Sequence, residues 1–280
     1  MMDKYCDLHT HSTYSDGTLE PAQLIELAEK AELCAVALCD HNTVKGLPIF
    51  LEAAHGSTVE AVPGIEFSTE YNGIELHILG LFVKPEHYET IDGMMNDLLR
   101  RKEQSNIDLL ERLKVQGIQL DYRAIKAETP SGNINRAVIA ANMVKSGYCT
   151  TVKEAFDCWL SPKRGFFVPP KRPDAYAIIR FIKSIGAVAV LAHPFLNLDE
   201  TGLREFLADA EGLDGMEVWY PKFTGEQTEL ACRIAEEFSL VKSGGSDFHG
   251  DNKPDIRIGV GRGDLRVTMS TLEELRTRIK

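Results

Sequence analysis

Short apolar runs alternate along the chain with amphipathic segments, and this alternation is typical of an α/β protein. The apolar runs predict seven strands, at residues 5–9, 35–39, 59–67, 74–83, 187–191, 215–219 and 240–243. The amphipathic segments predict helices at residues 21–31, 46–54, 174–185, 200–210 and 226–238. The turn at Tyr71-Asn72-Gly73 predicts a hairpin between the third and fourth strands. Together these elements predict an α/β barrel-like body.

The middle of the chain has a different pattern, because strand signals almost disappear between Lys84 and Phe166. A long, charged helical stretch at about 86–116 is followed by shorter helical segments at 121–128, 135–145 and 151–159. We therefore predict a barrel formed by residues 1–98 and 171–280, interrupted by a small all-helical domain at 99–170.

The charge balance is acidic, since 31 Lys and Arg residues stand against 42 Asp and Glu residues and the formal net charge is −11. Such a chain lacks the basic surface of a non-specific nucleic-acid binder, so we expect no stable nucleic-acid complex. No apolar stretch approaches the roughly 20 residues of a membrane span, and the N-terminus has no apolar segment typical of a signal peptide. We expect a cytoplasmic protein with six reduced cysteines. The sequence leaves the oligomeric state open.

Six of the eight histidines lie at or near the ends of predicted strands, where α/β barrels carry their functional groups. They occur in the fragments Asp7-Leu8-His9-Thr10-His11, Asp40-His41-Asn42, Leu76-His77-Ile78, Ala192-His193-Pro194 and Ser246-Asp247-Phe248-His249. A lone His-x-His is weak evidence, because core packing also produces it. The repeated placement favours a polynuclear metal centre, and therefore an enzyme, since imidazole is the commonest metal ligand among side chains. His55 and His87 lie outside this pattern, and we expect them at the surface.

Three acidic residues near these histidines have two interpretations each. Asp16, which precedes Gly17, is either a turn residue or a ligand. Glu66 is either a surface strand residue or a carboxylate that bridges two ions. Asp40, beside His41, more plausibly orients a ligand than binds metal itself.

The segment from Asp7 to Gly17 resembles the opening motif of the PHP (polymerase and histidinol phosphatase) family. Four later segments resemble the other motifs of that family in the same order: Cys39-Asp40-His41-Asn42-Thr43, Pro63-Gly64-Ile65-Glu66, Ala192-His193-Pro194 and Gly245-Ser246-Asp247-Phe248-His249. The resemblance covers the whole chain. The helical interruption resembles the insertion of the branch that hydrolyses small phosphate monoesters, such as nucleotide 3′,5′-bisphosphates. The resemblance implies a distorted (β/α)7 barrel (PHP fold) with an inserted all-helical domain.

The resemblance also implies up to three divalent ions and nine ligands. His9, His11, Glu66 and Asp247 would hold the first ion; Glu66, His77 and His193 the second; Asp16, His41 and His249 the third. Six imidazoles and three carboxylates without a thiolate suit Mn²⁺, Zn²⁺ or Fe²⁺. We expect the ligands of the third ion, together with Arg136, to act in catalysis.

The charge of such a centre indicates the substrate. Three divalent ions would bring about +6 and three carboxylates about −3, which leaves about +3 to attract a dianionic phosphate. We expect hydrolysis of a small phosphate monoester, a nucleotide 3′,5′-bisphosphate first of all, by attack of a metal-bridging hydroxide. The alternatives are a histidinol-phosphate phosphatase, a phosphodiesterase that trims oligonucleotides, and a non-catalytic metal-binding domain.

The predicted helical domain carries candidate residues for substrate binding. Arg136, near the start of a helix, has the geometry to grip a phosphate bidentately. A second basic cluster comprises Lys163, Arg164, Lys171 and Arg172. We expect Lys163, Arg164 and Lys171 to contact a second phosphate or a base, the alternative being solvated charge beside a hinge.

Overall fold

The computed structural model describes residues 4–129 and 134–280, which fall into two compact units. Residues 1–92 and 172–280 form the first unit, and residues 93–171 form the second. The strands are β1 (Tyr5–Thr10), β2 (Ala35–Leu38), β3 (Glu60–Tyr71), β4 (Ile74–Leu81), β5 (Val188–Leu191), β6 (Gly215–Trp219), β7 (Val241–Gly244) and β8 (Val267–Thr268). The helices are α1 (Pro21–Lys30), α2 (Leu47–Ala53), α3 (Tyr88–Val115), α4 (Tyr122–Glu128), α5 (Arg136–Lys145), α6 (Val152–Ala155), α7 (Ala175–Ser184), α8 (Glu200–Ala208), α9 (Gly225–Glu237) and α10 (Met269–Arg276).

The first unit is built on one eight-stranded sheet in the order β7-β6-β5-β4-β3-β2-β1-β8. The pairs β1–β2, β2–β3, β5–β6 and β6–β7 are parallel, whereas β4 runs antiparallel to both of its neighbours. The segment after β7 approaches β1, next to the other end of the sheet: Thr10 pairs with Phe248, and the Asp247 amide donates to the His9 carbonyl at 2.8 Å. The sheet is therefore a nearly closed, distorted barrel, as the sequence predicted.

The central strands of the barrel are apolar along their length because both faces of the sheet are covered. All four residues of β2 and all four of β5 are buried, which matches the continuous apolar runs of buried parallel strands. Leu8, Val62 and Val190 belong to one core cluster of the barrel. On the outside of the barrel, the helix α7 buries Ile178, Ile179 and Ile182. This helix begins after Asp174, whose side chain accepts from the Ala177 amide.

The second unit is helical over its described residues and has a separate apolar cluster. Leu109 and Leu113 of α3 pack there with Ile139 and Met143 of α5 and with Leu160. No helix in the described part of the chain is long and apolar enough to span a membrane. The inserted all-helical domain with the bounds 99–170 stays a prediction.

Four details differ from the sequence prediction. The strand β3 continues to Tyr71, so Glu66 lies inside the strand and not near its end. The strand β8 and the helix α10 had not been predicted. The segment at 151–159 forms only one turn of α-helix, α6, before it widens into a π-type turn over Phe156–Leu160.

Candidate metal centre

All nine predicted ligands converge in the first unit. Four overlapping groups of ligand atoms, each spanning no more than 4.8 Å, together contain them. The groups are His11, Asp16, His41 and His249; His9, Glu66 and His193; His9, His11 and Asp247; and His41, Glu66 and His77. His41 occurs in two groups, so the division of the ligands among separate ions stays a prediction. His55 is exposed, and neither His55 nor His87 belongs to a group.

Glu66 occupies the middle of the cluster and is completely buried. Its Oε1 lies 2.7 Å from His77 Nδ1 and 3.0 Å from His193 Nε2. Its Oε2 lies 3.2 Å from the Nε2 atoms of both His9 and His11, and 3.1 Å from His41 Nδ1. Each oxygen therefore belongs to a different set of imidazoles, which is the arrangement of a carboxylate able to bridge two ions.

Asp247 and Asp16 complete the polar lining. Asp247 Oδ1 lies 3.3 Å from His11 Nε2 and 3.8 Å from His9 Nε2. Asp16 Oδ1 lies 3.1 Å from His249 Nε2, whose ring is fixed because its Nδ1 lies 2.8 Å from the Asp247 carbonyl oxygen. The position of Asp16 beside imidazoles favours the ligand interpretation over that of a turn residue.

Two buried carboxylates hold the loops that carry these side chains. Asp40 accepts from the amide and hydroxyl of Ser12 and from the hydroxyl of Ser15 at 2.6–2.8 Å. Asp7 accepts from the amide and hydroxyl of Ser246 and from the Gly259 amide. These bonds fix the segments before Asp16 and Asp247, which is the orienting role expected of Asp40.

The segments that follow β5 and β7 contain strained backbone and a close contact with β1. His193 and Asp247 have φ values of 28° and 53°, which residues other than glycine rarely adopt. A Cβ at Gly245 would lie 2.4 Å from His9 Cβ, so only glycine allows this segment to reach β1.

The close packing of carboxylate and imidazole groups shifts the pKa values in the cluster. Burial raises the pKa of Glu66, but the imidazoles of His41, His77 and His9 hold the pKa of this carboxyl well below its usual value. Burial lowers the pKa of His77, but Glu66 outweighs it and raises this pKa to about 10. Burial lowers the pKa of His41 to about 3. Glu66 is therefore an anion, as a carboxylate that binds metal must be.

The donor set fits divalent metal ions. Asp16 Oδ1, His41 Nδ1 and Glu66 Oε2 are buried atoms without a hydrogen-bond partner among the described residues, and all three point into the cluster. Buried polar atoms are rarely left unpaired unless an ion or a ligand pairs with them. The nine ligands offer imidazole nitrogen and carboxylate oxygen, as Mn²⁺, Zn²⁺ and Fe²⁺ require.

Three residues that the sequence analysis did not assign also contact the centre. Tyr220 donates its hydroxyl to Asp247 Oδ2 at 2.8 Å, and Lys253 donates its ammonium to the same oxygen at 2.6 Å. Lys253 is 26% exposed, whereas Asp247 is only 7% exposed. Glu217, on β6, is completely buried and lies 2.9 Å from His9 Nδ1. An acidic residue within the apolar run of β6 was the signal that could have identified it.

The predicted substrate residues lie in the second unit. Arg136 lies over the Phe167 ring, 4.5 Å from its centroid, and bonds to the Leu160 carbonyl. Lys163 and Lys171 are exposed, and the exposed Arg164 donates to the Asp157 carbonyl. Their contact with substrate stays a prediction. In the first unit, Arg172 pairs with Glu75 at 2.7 Å, and Glu75 lies 3.4 Å from His77 Nε2.

Comparison with known proteins gives a consistent result. The family model of the PHP domain matches residues 7–158. The chain is 33% identical over 251 residues to a 5′-3′ exoribonuclease of Haemophilus influenzae, covering 89% of this chain and 91% of that protein. It is 26% identical over 265 residues to a 3′,5′-nucleoside bisphosphate phosphatase of Chromobacterium violaceum, covering 90% of each. A solved metal-dependent phosphoesterase from Bifidobacterium adolescentis is 28% identical and superposes with a TM-score of 0.83, covering 99% of this chain and 97% of that one.

Proposed function

The chain belongs to the PHP domain family and is a metal-dependent phosphoesterase, and from this premise we propose that it removes the 3′-phosphate of a nucleoside 3′,5′-bisphosphate. The observation that carries the proposal is the convergence of six imidazoles and three carboxylates in four overlapping groups, in which three buried ligand atoms have no hydrogen-bond partner among the described residues. We assign His9, His11, Asp16, His41, Glu66, His77, His193, Asp247 and His249 as the ligands of up to three divalent ions. Such ions supply Lewis acidity and lower the pKa of water toward neutrality.

The positive charge of Lys253 favours a phosphate substrate, because the metal centre itself carries little net charge. The count made from the sequence included three carboxylates, but Asp7, Asp40 and Glu217 are also buried against the ligands or their loops. With six carboxylates, three divalent ions leave the centre roughly neutral and not strongly positive. The ammonium of Lys253 adds positive charge at a partly exposed position beside Asp247. We therefore assign Lys253 to the binding of the reacting phosphate.

The other contacts keep Asp247 in place for this role. The hydroxyl of Tyr220 and the ammonium of Lys253 both bond Oδ2, which leaves Oδ1 directed at His9 and His11. Tyr220 is buried and its ring packs on His193, so its hydroxyl is confined to one position. This arrangement fixes one carboxylate oxygen for metal and places a cation beside it.

A second candidate function is exonucleolytic trimming of short RNA from its 5′ end. The observation in its favour is the 33% identity to a 5′-3′ exoribonuclease over nearly the whole of both chains. A nucleoside 3′,5′-bisphosphate and a 5′-phosphorylated RNA both carry a phosphoryl group on the 3′ oxygen of a 5′-phosphorylated nucleoside. Both functions therefore require nucleophilic attack on the phosphorus bound to the 3′ oxygen. The substrates differ in whether that phosphorus also carries the next nucleotide.

The test is a comparison of three substrates with the Mn²⁺-loaded protein. Adenosine 3′,5′-bisphosphate, AMP and a 5′-phosphorylated RNA pentamer are supplied at equal concentration, and released phosphate and AMP are measured. The proposal predicts release of the 3′-phosphate from the bisphosphate, with kcat/KM at least about 100-fold above that for AMP. Faster release of AMP from the pentamer would establish the second candidate. Turnover of none of these substrates would contradict both.

A further inference from the structure

Glu217 contacts two proposed metal ligands from outside the cluster, and we propose that it is a positioning residue that sets metal affinity at both. It lies on β6, is completely buried, and is not a member of the four ligand groups among the described residues. Its Oε1 is 2.9 Å from His9 Nδ1, and its Oε2 is 2.7 Å from the His193 amide nitrogen. The inference rests on the proposed metal centre.

The first contact determines which nitrogen of His9 carries a proton. An ionised carboxylate only accepts hydrogen bonds, so His9 donates from Nδ1. Its Nε2 then presents a lone pair to the cluster, where Glu66 Oε2 lies 3.2 Å away. A carboxylate in this position fixes the tautomer and the ring orientation and makes the imidazole a stronger ligand.

The second contact holds the backbone of His193 in an unfavourable conformation. His193 has a φ of 28°, and its amide hydrogen bond to Glu217 opposes relaxation of this strained segment. The ring Nε2 of His193 consequently stays 3.0 Å from Glu66 Oε1. Because His9 lies at Oε2 of Glu66 and His193 at Oε1, Glu217 positions ligands for both oxygens of the bridging carboxylate.

A role in stability alone does not account for Glu217. Its neighbours on β6, Met216 and Val218, are buried and apolar. A buried charge costs several kcal/mol of desolvation, and well-packed apolar residues often replace buried ion pairs without loss of stability. A carboxylate at this position therefore adds little to the core, but it directs two ligands.

The test compares Glu217→Gln with Ser243→Ala. Ser243 is a suitable control because it pairs with Glu217 across β6 and β7, and its buried hydroxyl has no hydrogen-bond partner in the described structure. Glutamine keeps the shape but offers one acceptor and one donor, so it cannot accept from both nitrogens. We expect Mn²⁺ affinity, measured by titration of the metal-free protein, to fall about 10- to 100-fold in Glu217→Gln. It should stay unchanged in Ser243→Ala.

Other outcomes decide between failure of this inference and failure of the metal assignment. Wild-type Mn²⁺ affinity in folded Glu217→Gln would overturn the positioning role while leaving the metal centre intact. Absence of Mn²⁺ binding by the wild-type protein would overturn both. If Glu217→Gln does not fold, ¹⁵N NMR of the Zn²⁺-loaded wild type decides: His9 should carry its proton on Nδ1, and a proton on Nε2 would refute the inference.

Discussion

At the scale of single residues, the two oxygens of Asp247 contact different partners. Oδ1 is directed at imidazole nitrogens of His9 and His11, whereas Oδ2 accepts from Tyr220 and Lys253. Burial raises the pKa of Asp247, but the hydrogen bond with His11 and the nearby positive charges lower it well below its usual value. The side chain is therefore an anion that is held on one edge and open to a metal on the other.

Replacement of Asp247 by asparagine tests its role as a ligand. The amide keeps the shape of the side chain but removes the negative charge that balances a divalent ion. We expect kcat/KM for the phosphate substrate to fall at least about 100-fold and the bound metal per chain to decrease. Metal content is measured by mass spectrometry after gel filtration. Full metal content together with full activity would remove Asp247 from the ligand set.

Lys253→Met tests the phosphate contact separately from metal binding. Loss of a charge-assisted hydrogen bond costs about 1.5–3 kcal/mol, so we expect kcat/KM to fall roughly 10- to 100-fold. Metal content should stay at the wild-type level. The matched control is Lys222→Met, an exposed lysine. If both variants behave like the wild type, Lys253 only neutralises Asp247.

The sequence pattern singled out side chains near strand ends that lie together in the structure, and it missed side chains within strands and loops. The histidines stood out because they end apolar runs, and all nine proposed ligands lie together. Glu217 was missed because attention went to the histidines, although a carboxylate within the apolar run of β6 was a signal. Lys253 was missed because a loop lysine in a sequence has no distinguishing pattern. Only the fold brings both residues to His9 and Asp247.

At the scale of elements, the antiparallel strand β4 explains the distortion of the barrel. The hairpin at Asn72-Gly73 was predicted from its turn residues, and β3 and β4 pair directly across it. Because β4 runs in the reverse direction, His77 reaches the cluster from the interior of a strand, opposite Ser68. The rule that functional groups follow the ends of parallel strands does not apply to this element. The two-residue strand β8 was too short to produce a pattern.

Close approach of β1 and the segment after β7 is tested by Gly245→Ala. A Cβ there would meet the Cβ and the backbone nitrogen of His9, so the segment must move. We expect a loss of about 1–3 kcal/mol of unfolding free energy and weaker metal binding. The control is Gly225→Ala, because a Cβ at Gly225 would meet nothing within 4 Å. Equal stability and metal content in the two variants would show that the approach is not tight.

At the scale of the whole molecule, the negative charge of the chain is related to its dependence on metal ions. A net charge of −11 works against an anionic substrate at long range, and six carboxylates, five of them buried, concentrate negative charge at one centre. Bound cations relieve this repulsion within the fold. The charge count from the sequence overestimated the positive charge of the site, because it could not include carboxylates that approach the ligands only in three dimensions.

Removal of metal should therefore lower stability. Ligand that binds only the folded state at about 100 times its Kd adds about 2.7 kcal/mol. This corresponds to roughly 5–10 °C in Tm for a chain of this size. We expect differential scanning calorimetry to show a decrease of this size after chelation, and recovery when Mn²⁺ is restored. An unchanged Tm would indicate that the folded protein binds no stabilising ion.

The central claim is that the nine-residue cluster holds the catalytic ions, and anomalous X-ray scattering from crystals soaked in Mn²⁺ tests it most directly. The claim predicts up to three anomalous peaks, with Glu66 bridging two of them and the others of the nine residues as the remaining ligands. Peaks only elsewhere in the molecule, or no peak at a Mn²⁺ concentration that supports hydrolysis, would contradict it.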